Sequence, residues 1–341
     1  MHVETCRDNR IAQLEGVGLL SFVTRPLAEL QPREVRVRVR AASLNHRDLL
    51  VLKGQGPQPI AWPLVPLSDA AGEVVAIGTR VERFRPGDRV VAAMLPDWVS
   101  GPFHPRLARR LLGGSVDGVL GEYFTAPEQA LLPLPEVLTF EQGATLPCAA
   151  LTAWCAVFEH GDLKPGQTLL VQGSGGVSSF ALQFALAAGA RVIATTRCAE
   201  KVERLRALGA SEVIDATHTP DWDRAVLELT GGEGVDHVVE TGGARTLDQS
   251  IRAAAVGGCI SLIGTLTGAC GMVDTRAVLM KTLRIQGVVL GSVESFERMI
   301  HALETLAIRP IIDRVFELEQ IRAALAYLES GRQVGKIVVR V

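Results

Sequence analysis

The sequence predicts an α/β protein in which a doubly wound parallel sheet is inserted into a mostly antiparallel β domain. Three observations carry this. From about residue 135 onward, short apolar runs alternate with helical patterns, the arrangement that makes a parallel sheet flanked by helices. From about 30 to 130 the runs are shorter and bounded by turn residues, the signature of antiparallel strands. Near the C-terminus, "RPIIDRVFEL" and "GKIVVRV" return to β character and rejoin the first domain. The predicted division is 1–130 with 307–341 for the β domain and 131–306 for the parallel sheet.

In the first region the strands are "EVRVRVRAAS", "AGEVVAIG", "RPGDRVVAAM" and "GEYFTA"; in "RVRVR" (36–40) the arginines mark a solvated face. In the second, "TLLVQG" (168–173) is a buried strand followed by a helix over 176–188. "RVIATT" (191–196), "SEVIDA" (211–216), "VDHVVET" (235–241), "GCISLIG" (258–264) and "TLRIQGVVLG" (282–291) continue the series, with helices between them and one more near 293–306. There is no internal repeat.

The bulk numbers narrow the function. A chain of 341 residues exceeds one small core, and 48% apolar content suits a globular protein with a large buried sheet. A formal charge of −2 gives no handle for nucleic acid or an anionic membrane. The N-terminus lacks the apolar core of a signal peptide, and the longest uncharged stretch, 165–190, is broken by Pro, Gly, Ser and Gln. Cys6, Cys148, Cys155, Cys198, Cys259 and Cys270 form no CxxC pair, and most sit in apolar segments. They read as reduced structural thiols of a cytoplasmic protein.

The stretch "VQGSGGVSSF" (171–180) carries the chemistry. It follows an apolar strand and opens a helix, so the helix-start amides at Ser174, Gly175, Gly176 and Val177 suit a pyrophosphate. No Lys follows in P-loop spacing, and Ser178 stands where a third glycine is usual, so this is a Rossmann-type dinucleotide turn with one departure. The second strand ends in "ATTRCAEK", with no carboxylate before Glu200. Thr195, Thr196, Arg197 and Lys201 instead offer hydroxyls and cations to a 2′-phosphate, predicting NADPH over NADH. The competing reading makes Arg197 and Lys201 a solvated helix start.

Taken together, "AASLNHRDLL", "PLSDAAGEVVAIG", "RPGDRVVA", "TLPCAALTAW", the glycine turn, "EKVERLRALGA" and "GKIVV" resemble the medium-chain dehydrogenase/reductase superfamily, in its zinc-independent quinone oxidoreductase-like branch. The resemblance runs from about residue 26 to the end and implies a GroES-like first domain. Zinc alcohol dehydrogenases of this superfamily hold their catalytic metal with a Cys near "SLN" and a Gly-His-Glu before "AAG"; here those positions read Asn45 and Leu67-Ser68-Asp69. The four-cysteine structural zinc lobe is missing too, since no Cys lies between 7 and 147. A zinc-free enzyme is expected, with His46 and His104 as the remaining candidate ligands.

Without a Lewis acid, reduction of a quinone, enone or related carbonyl is easier than alcohol oxidation, because the acceptor already has a sink for hydride. By resemblance, Asn45 is the candidate hydrogen-bond donor to a developing enolate oxygen. Asp48 either relays or orients neighbouring backbone, and His46 is either a proton shuttle or a surface residue. Only Tyr123 and Tyr327 occur, neither with Lys four residues on, which excludes a Tyr-x-x-x-Lys site. The resemblance further implies that Thr152, Gly264, Thr265, Leu290 and Gly291 lie near the nicotinamide, and that Gly242, after the fourth strand, and Lys336 contact the cofactor. For Thr152, a bond back to its own helical turn is the alternative. In the long stretch 94–118, Trp98, Phe103 and His104 are candidates to border the substrate, against simple packing of Trp98. A homodimer pairing near 283–290 is implied. A metal-free alcohol dehydrogenase and a non-catalytic, crystallin-like nucleotide binder are the competing functions.

Overall fold

The computed structural model describes residues 8–16, 18–56 and 59–341; Cys6 lies outside them. The chain forms two compact units, 1–149 with 291–341, and 150–290.

The first unit opens with an antiparallel pair, β1 (Asp8–Leu14) and β2 (Leu20–Pro26). There follow β3 (Glu34–Ser43), α1 (His46–Leu52), β4 (Asp69–Ile77), β5 (Arg89–Ala92), β6 (Tyr123–Pro127), β7 (Leu131–Pro133) and α2 (Phe140–Ala144). Alternation decides the central strand. Val35, Val37 and Val39 of β3 are buried, while Arg36, Arg38 and Arg40 lie on the half-exposed face, as a period of two requires.

The second unit carries α3 (Leu151–Trp154), β8 (Thr168–Gln172), α4 (Gly176–Ala187), β9 (Arg191–Thr196), α5 (Val202–Ala207) and β10 (Glu212–Asp215). It continues with α6 (Trp222–Leu229), β11 (Val235–Glu240), α7 (Leu247–Ala253), β12 (Ala254–Leu262), α8 (Thr275–Met280) and β13 (Arg284–Gly287). Its sheet is wholly parallel, in the order β10-β9-β8-β11-β12-β13. The order reverses beside β8, which is where doubly wound sheets bind ligands.

The chain then returns to the first unit with α9 (Val293–Thr305), β14 (Ile312–Glu317), α10 (Ile321–Glu329) and β15 (Lys336–Arg340). Its seven-stranded sheet runs β14-β15-β3-β4-β5-β7, with β6 pairing β3. All pairs are antiparallel except β14 with β15.

Both unit boundaries depart from the sequence division: 131–149 and 291–306 belong to the first unit. The reasons are specific pairings. Leu132 of β7 sits opposite Val91 of β5, Ser43 Oγ donates to Ala144 O at 2.8 Å, and the Val293 amide donates to Trp98 O at 2.9 Å. The β1–β2 pair and α10 were not anticipated from the sequence.

An imidazole is buried in the second unit's sheet. His237, on β11, packs so tightly on Gly161 that a Cβ there would lie 2.0 Å from its Cε1. Ser261 Oγ donates to Ala156 O at 3.2 Å, so the imidazole Nε2–H donates to Ser261 Oγ at 2.9 Å and Nδ1 has no partner among the described residues. Burial, helped by the Arg284 guanidinium, holds this imidazole down at about 4, from an ordinary 6.5. Between those pH values the unfolded chain binds the extra proton, so stability falls as pH drops through the window. His237→Gln is expected to remove about 3 kcal/mol of acid sensitivity between pH 6.5 and 4, checked by urea unfolding across that range.

Candidate active site and dinucleotide turn

Strand register builds the polar cluster of the first unit. Ser43 on β3 is opposite Asp69 on β4 and opposite Val338 on β15. One residue further, the Leu44 amide donates to Ile337 O at 3.0 Å, which brings Asn45 level with Lys336. The two neighbours of β3 therefore deliver a carboxylate and an ammonium to the same end of the strand.

Lys336 is 2% exposed, and its Nζ donates to Leu44 O and to Asn45 Oδ1, each at 2.6 Å. The fully buried Asp69 carboxylate faces it at 3.9 Å. Asp69 also accepts from Ser68 Oγ at 2.7 Å and from the Cys148 amide at 3.2 Å. An ammonium only donates, so it must meet the oxygen of the Asn45 amide. The Asn45 Nδ2 is turned the other way, buried and without a partner among the described residues.

Asn45 also caps α1 in extended conformation, and its amide donates to Asp48 Oδ2 at 2.7 Å. Burial pushes the Asp48 carboxyl up to about 6, against the pull of Arg47, whose guanidinium lies 3.4 Å away. Asp48 is thus bonded to the backbone amide of Asn45. His46, in the same turn, is exposed. The Cys148 thiol, raised to about 12 by burial and by Asp69, stays protonated.

The segment 67–69 is clamped. Leu67 has φ +66°, rare for a side chain of its size. A Cβ at Gly118 would sit 1.9 Å from Leu67 O, and one at Gly113 2.4 Å from it. Residues of the long stretch 94–118 thus lie directly on this backbone. In the same stretch Trp98 is buried, donates from Nε1 to Gly101 O at 2.9 Å and meets Phe103 edge-on at 5.1 Å. His104 accepts from the Arg106 amide at 3.1 Å and caps a short 3₁₀ turn.

As a donor set for zinc these groups do not fit. The Asn45 oxygen is occupied by an ammonium, and the Ser68 hydroxyl is committed to Asp69. Neither is a thiolate or imidazole. Among the described residues no three His, Cys, Asp or Glu converge to hold a metal ion.

The second unit carries the glycine turn. Gly173 has φ +75°, and a Cβ at Gly173 or Gly175 would meet nothing within 4 Å, so the space over the turn is open. Gly175 caps α4 with no side chain to satisfy the first-turn amides. Ser178 Oγ bonds Gln172 O at 2.5 Å, so the hydroxymethyl at the third-glycine position ties the helix to its strand. This open, uncharged cradle fits a pyrophosphate.

At the end of β9, Thr195 and Thr196 are buried and Arg197 is exposed. Lys201 is buried, with Nζ 2.9 Å from Ser174 Oγ, which joins two of the predicted residues. Gly242 and Gly264 also come together: Thr267 N donates to Gly242 O at 2.7 Å, and a Cβ at Gly264 would lie 2.1 Å from Thr241 O. Thr265 packs against the neighbouring Gly243. Thr152 is buried in α3; Leu290 and Gly291 are buried where the units divide.

Glu240 was not anticipated. Fully buried at the end of β11, it accepts from the Gly242 and Gly243 amides at 2.7 and 2.9 Å. It also accepts from Gln172 Nε2, Thr246 Oγ1 and Ser250 Oγ, fixing the 241–246 turn from below. A carboxylate directly after the apolar pair Val238–Val239, at the end of the strand, was the available signal.

Two family models match, the alcohol dehydrogenase GroES-like domain over residues 31–136 and the zinc-binding dehydrogenase over 176–305. A zinc-type alcohol dehydrogenase-like protein of Schizosaccharomyces pombe is 42% identical over 92% of each chain. The chain belongs to the medium-chain dehydrogenase/reductase superfamily. A quinone oxidoreductase of Pseudomonas aeruginosa is 32% identical, covering 97% of this chain and 98% of its own. A solved NAD-dependent alcohol dehydrogenase superposes with a TM-score of 0.89 at 36% identity, covering 97% of this chain and 99% of that one. Among the described residues no helix is long and apolar enough to cross a membrane.

The buried carboxyl of Asp48 gives a sign-defined prediction. Its folded pKa, about 6, exceeds the ordinary 3.8, so its contribution to stability is present below pH 3.8 and is lost as pH rises through 6. Relative to wild type, Asp48→Asn is expected to gain about 3 kcal/mol over that window, read from urea midpoints at pH 4 and pH 7.

Proposed function

We propose that this protein is an NADPH-dependent oxidoreductase that delivers hydride to a quinone, enone or related activated carbonyl without a metal. The observation that carries this reading is the buried, unpartnered Nδ2 of Asn45. An unsatisfied buried donor costs about 1–3 kcal/mol, and the cost is recovered if an acceptor oxygen arrives. As hydride adds to a conjugated acceptor, negative charge develops on that oxygen, and a preorganised N–H stabilises it more than it stabilises the neutral substrate. A bound nicotinamide supplies the hydride. Asn45 donates to the oxygen, Asp48 orients the Asn45 backbone, and solvent or the exposed His46 supplies the remaining proton.

Support for a dinucleotide comes from the open turn at 173–176, with Thr152, Val177, Gly242, Gly264, Thr265, Leu290 and Gly291 as its further contacts. Support for NADPH comes from the cations at 197 and 201 and from the lack of a carboxylate at the end of β9. One solved relative is NAD-dependent and another holds NADP, and the choice of NADPH for this chain is drawn from Arg197, Lys201 and the end of β9. The donor set at Asn45 and Ser68 supports a zinc-free reaction. A homodimer is supported by the unpaired edge of β13, where Ile285 and Val289 expose apolar surface beside Leu279 and Met280; sedimentation at micromolar concentration checks it. Five described cysteines are free, in keeping with a reducing, cytoplasmic setting.

Purified protein is expected to oxidise NADPH with 1,4-benzoquinone or an enone and to leave simple alcohols untouched. It should do so without stoichiometric zinc in elemental analysis. Asn45→Ala should lower kcat about 100-fold with little change in the KM for NADPH. Nucleotide binding without turnover across such a panel would favour a non-catalytic binder, and activity-linked zinc would overturn the metal-free reaction. Lys201→Met should raise the KM for NADPH about tenfold and leave that for NADH nearly unchanged; a wild-type preference for NADH would remove the basis of the cofactor choice.

A further inference from the structure

We propose that Lys336 is a positioning residue that sets and polarises the Asn45 amide, so that its Nδ2–H is the group offered to the substrate oxygen. The inference rests on the reading of Asn45 as the donor and goes beyond it by naming what aims that donor.

An Asn side chain has two faces of similar shape and opposite hydrogen-bonding sense. Left alone beside a backbone carbonyl, it would turn its NH₂ to the carbonyl. Here Leu44 O is that carbonyl, and Lys336 Nζ sits at 2.6 Å from it and at 2.6 Å from Asn45 Oδ1. A group with only donors satisfies Leu44 O and at the same time forbids the turned amide, which would bring NH₂ against NH₃⁺. The unpartnered Nδ2 is thus the by-product of a deliberate contact. A charged donor on the amide oxygen also draws electron density from the nitrogen and sharpens its N–H as a donor, by about 10–30% in such chains.

The ammonium is affordable in the interior because Asp69 faces it at 3.9 Å, itself held by Ser68 and by the Cys148 amide. The other charged pair of the cluster, Arg47 with Asp48, lies within the field of Lys336 and Asp69, and Arg47 also donates to Leu112 O and Gly113 O. Of these charges, Lys336 is the one hydrogen-bonded to the amide oxygen.

Removing Lys336 alone would strand the buried Asp69 charge and risk unfolding, so the informative variant is Lys336→Met with Asp69→Asn. Two measurements test it. In a crystal structure at a resolution that reveals amide hydrogens, the variant should carry the Asn45 amide turned, with Nδ2 donating to Leu44 O. In NADPH oxidation with 1,4-benzoquinone, kcat should fall at least about tenfold, with the KM for NADPH within about threefold. Added to Asn45→Ala, the double substitution should cost less than about threefold more, because both act through one group.

Effects that multiply, an unturned amide with kcat kept, or a raised KM for NADPH at unchanged kcat would overturn the inference; the last would make Lys336 a nucleotide contact instead. A wild-type protein that ignores quinone, or an Asn45→Ala variant at full rate, would defeat the donor role of Asn45. The orientation of the amide in the variant would still decide whether Lys336 sets it.

Discussion

A buried ammonium is among the least tolerated groups in a protein interior, and its neighbours must be arranged around it or the charge does not survive folding. Lys336 imposes that condition on the first unit. It requires a carboxylate nearby, two oxygens within hydrogen-bond reach and a strand order that brings all three together. The arrangement β15-β3-β4 meets the requirement, because β3 lies between the strands that carry the opposite charges. Asn45 is then one of the two oxygens the ammonium needs. The amide nitrogen is left buried and without a partner among the described residues by the same geometry.

The second unit presents backbone at its glycine turn, with Lys201 reaching Ser174 Oγ beside it. The glycine turn is bare, and the hydroxyls beside it are turned inward: Ser178 to Gln172 O, and Ser179 to the carbonyls of Gly175 and Gly176. Glu240 performs the corresponding task for the next loop by collecting its amides from beneath. Neutral backbone dipoles, fixed before a ligand arrives, need no reorganisation when it does.

What was legible in the chain follows from how local each signal is. The strand–helix alternation and the glycine turn are contained within a few residues, and the observed strands match the predicted ones to within a few positions. The unit boundaries were less legible, because 131–149 and 291–306 are assigned by pairings with β5, β3 and the Trp98 backbone. Asn45 was legible only through family resemblance, since an Asn before a helix is ordinarily just a cap. The contact that aims it joins residues 291 positions apart, and no local pattern announces a strand register of that kind. Glu240 was overlooked although its place at the end of a buried strand was visible. The α10 segment "IRAALAYLE" is rich in good helix formers and was hidden by the β character on either side.

The clamp on residue 67 has a bearing on how such chains diverge. Two glycines of the 94–118 segment press on the Leu67 carbonyl. Returning a thiolate to residue 45 and an imidazole to residue 68 would therefore not recreate a metal centre. An ion arriving there would be repelled by the resident ammonium, and the peptide before residue 68 could not swing while those glycines hold it. Conversion between the two donor sets on this scaffold has to be a concerted exchange of ligands, counter-charge and overlying loop.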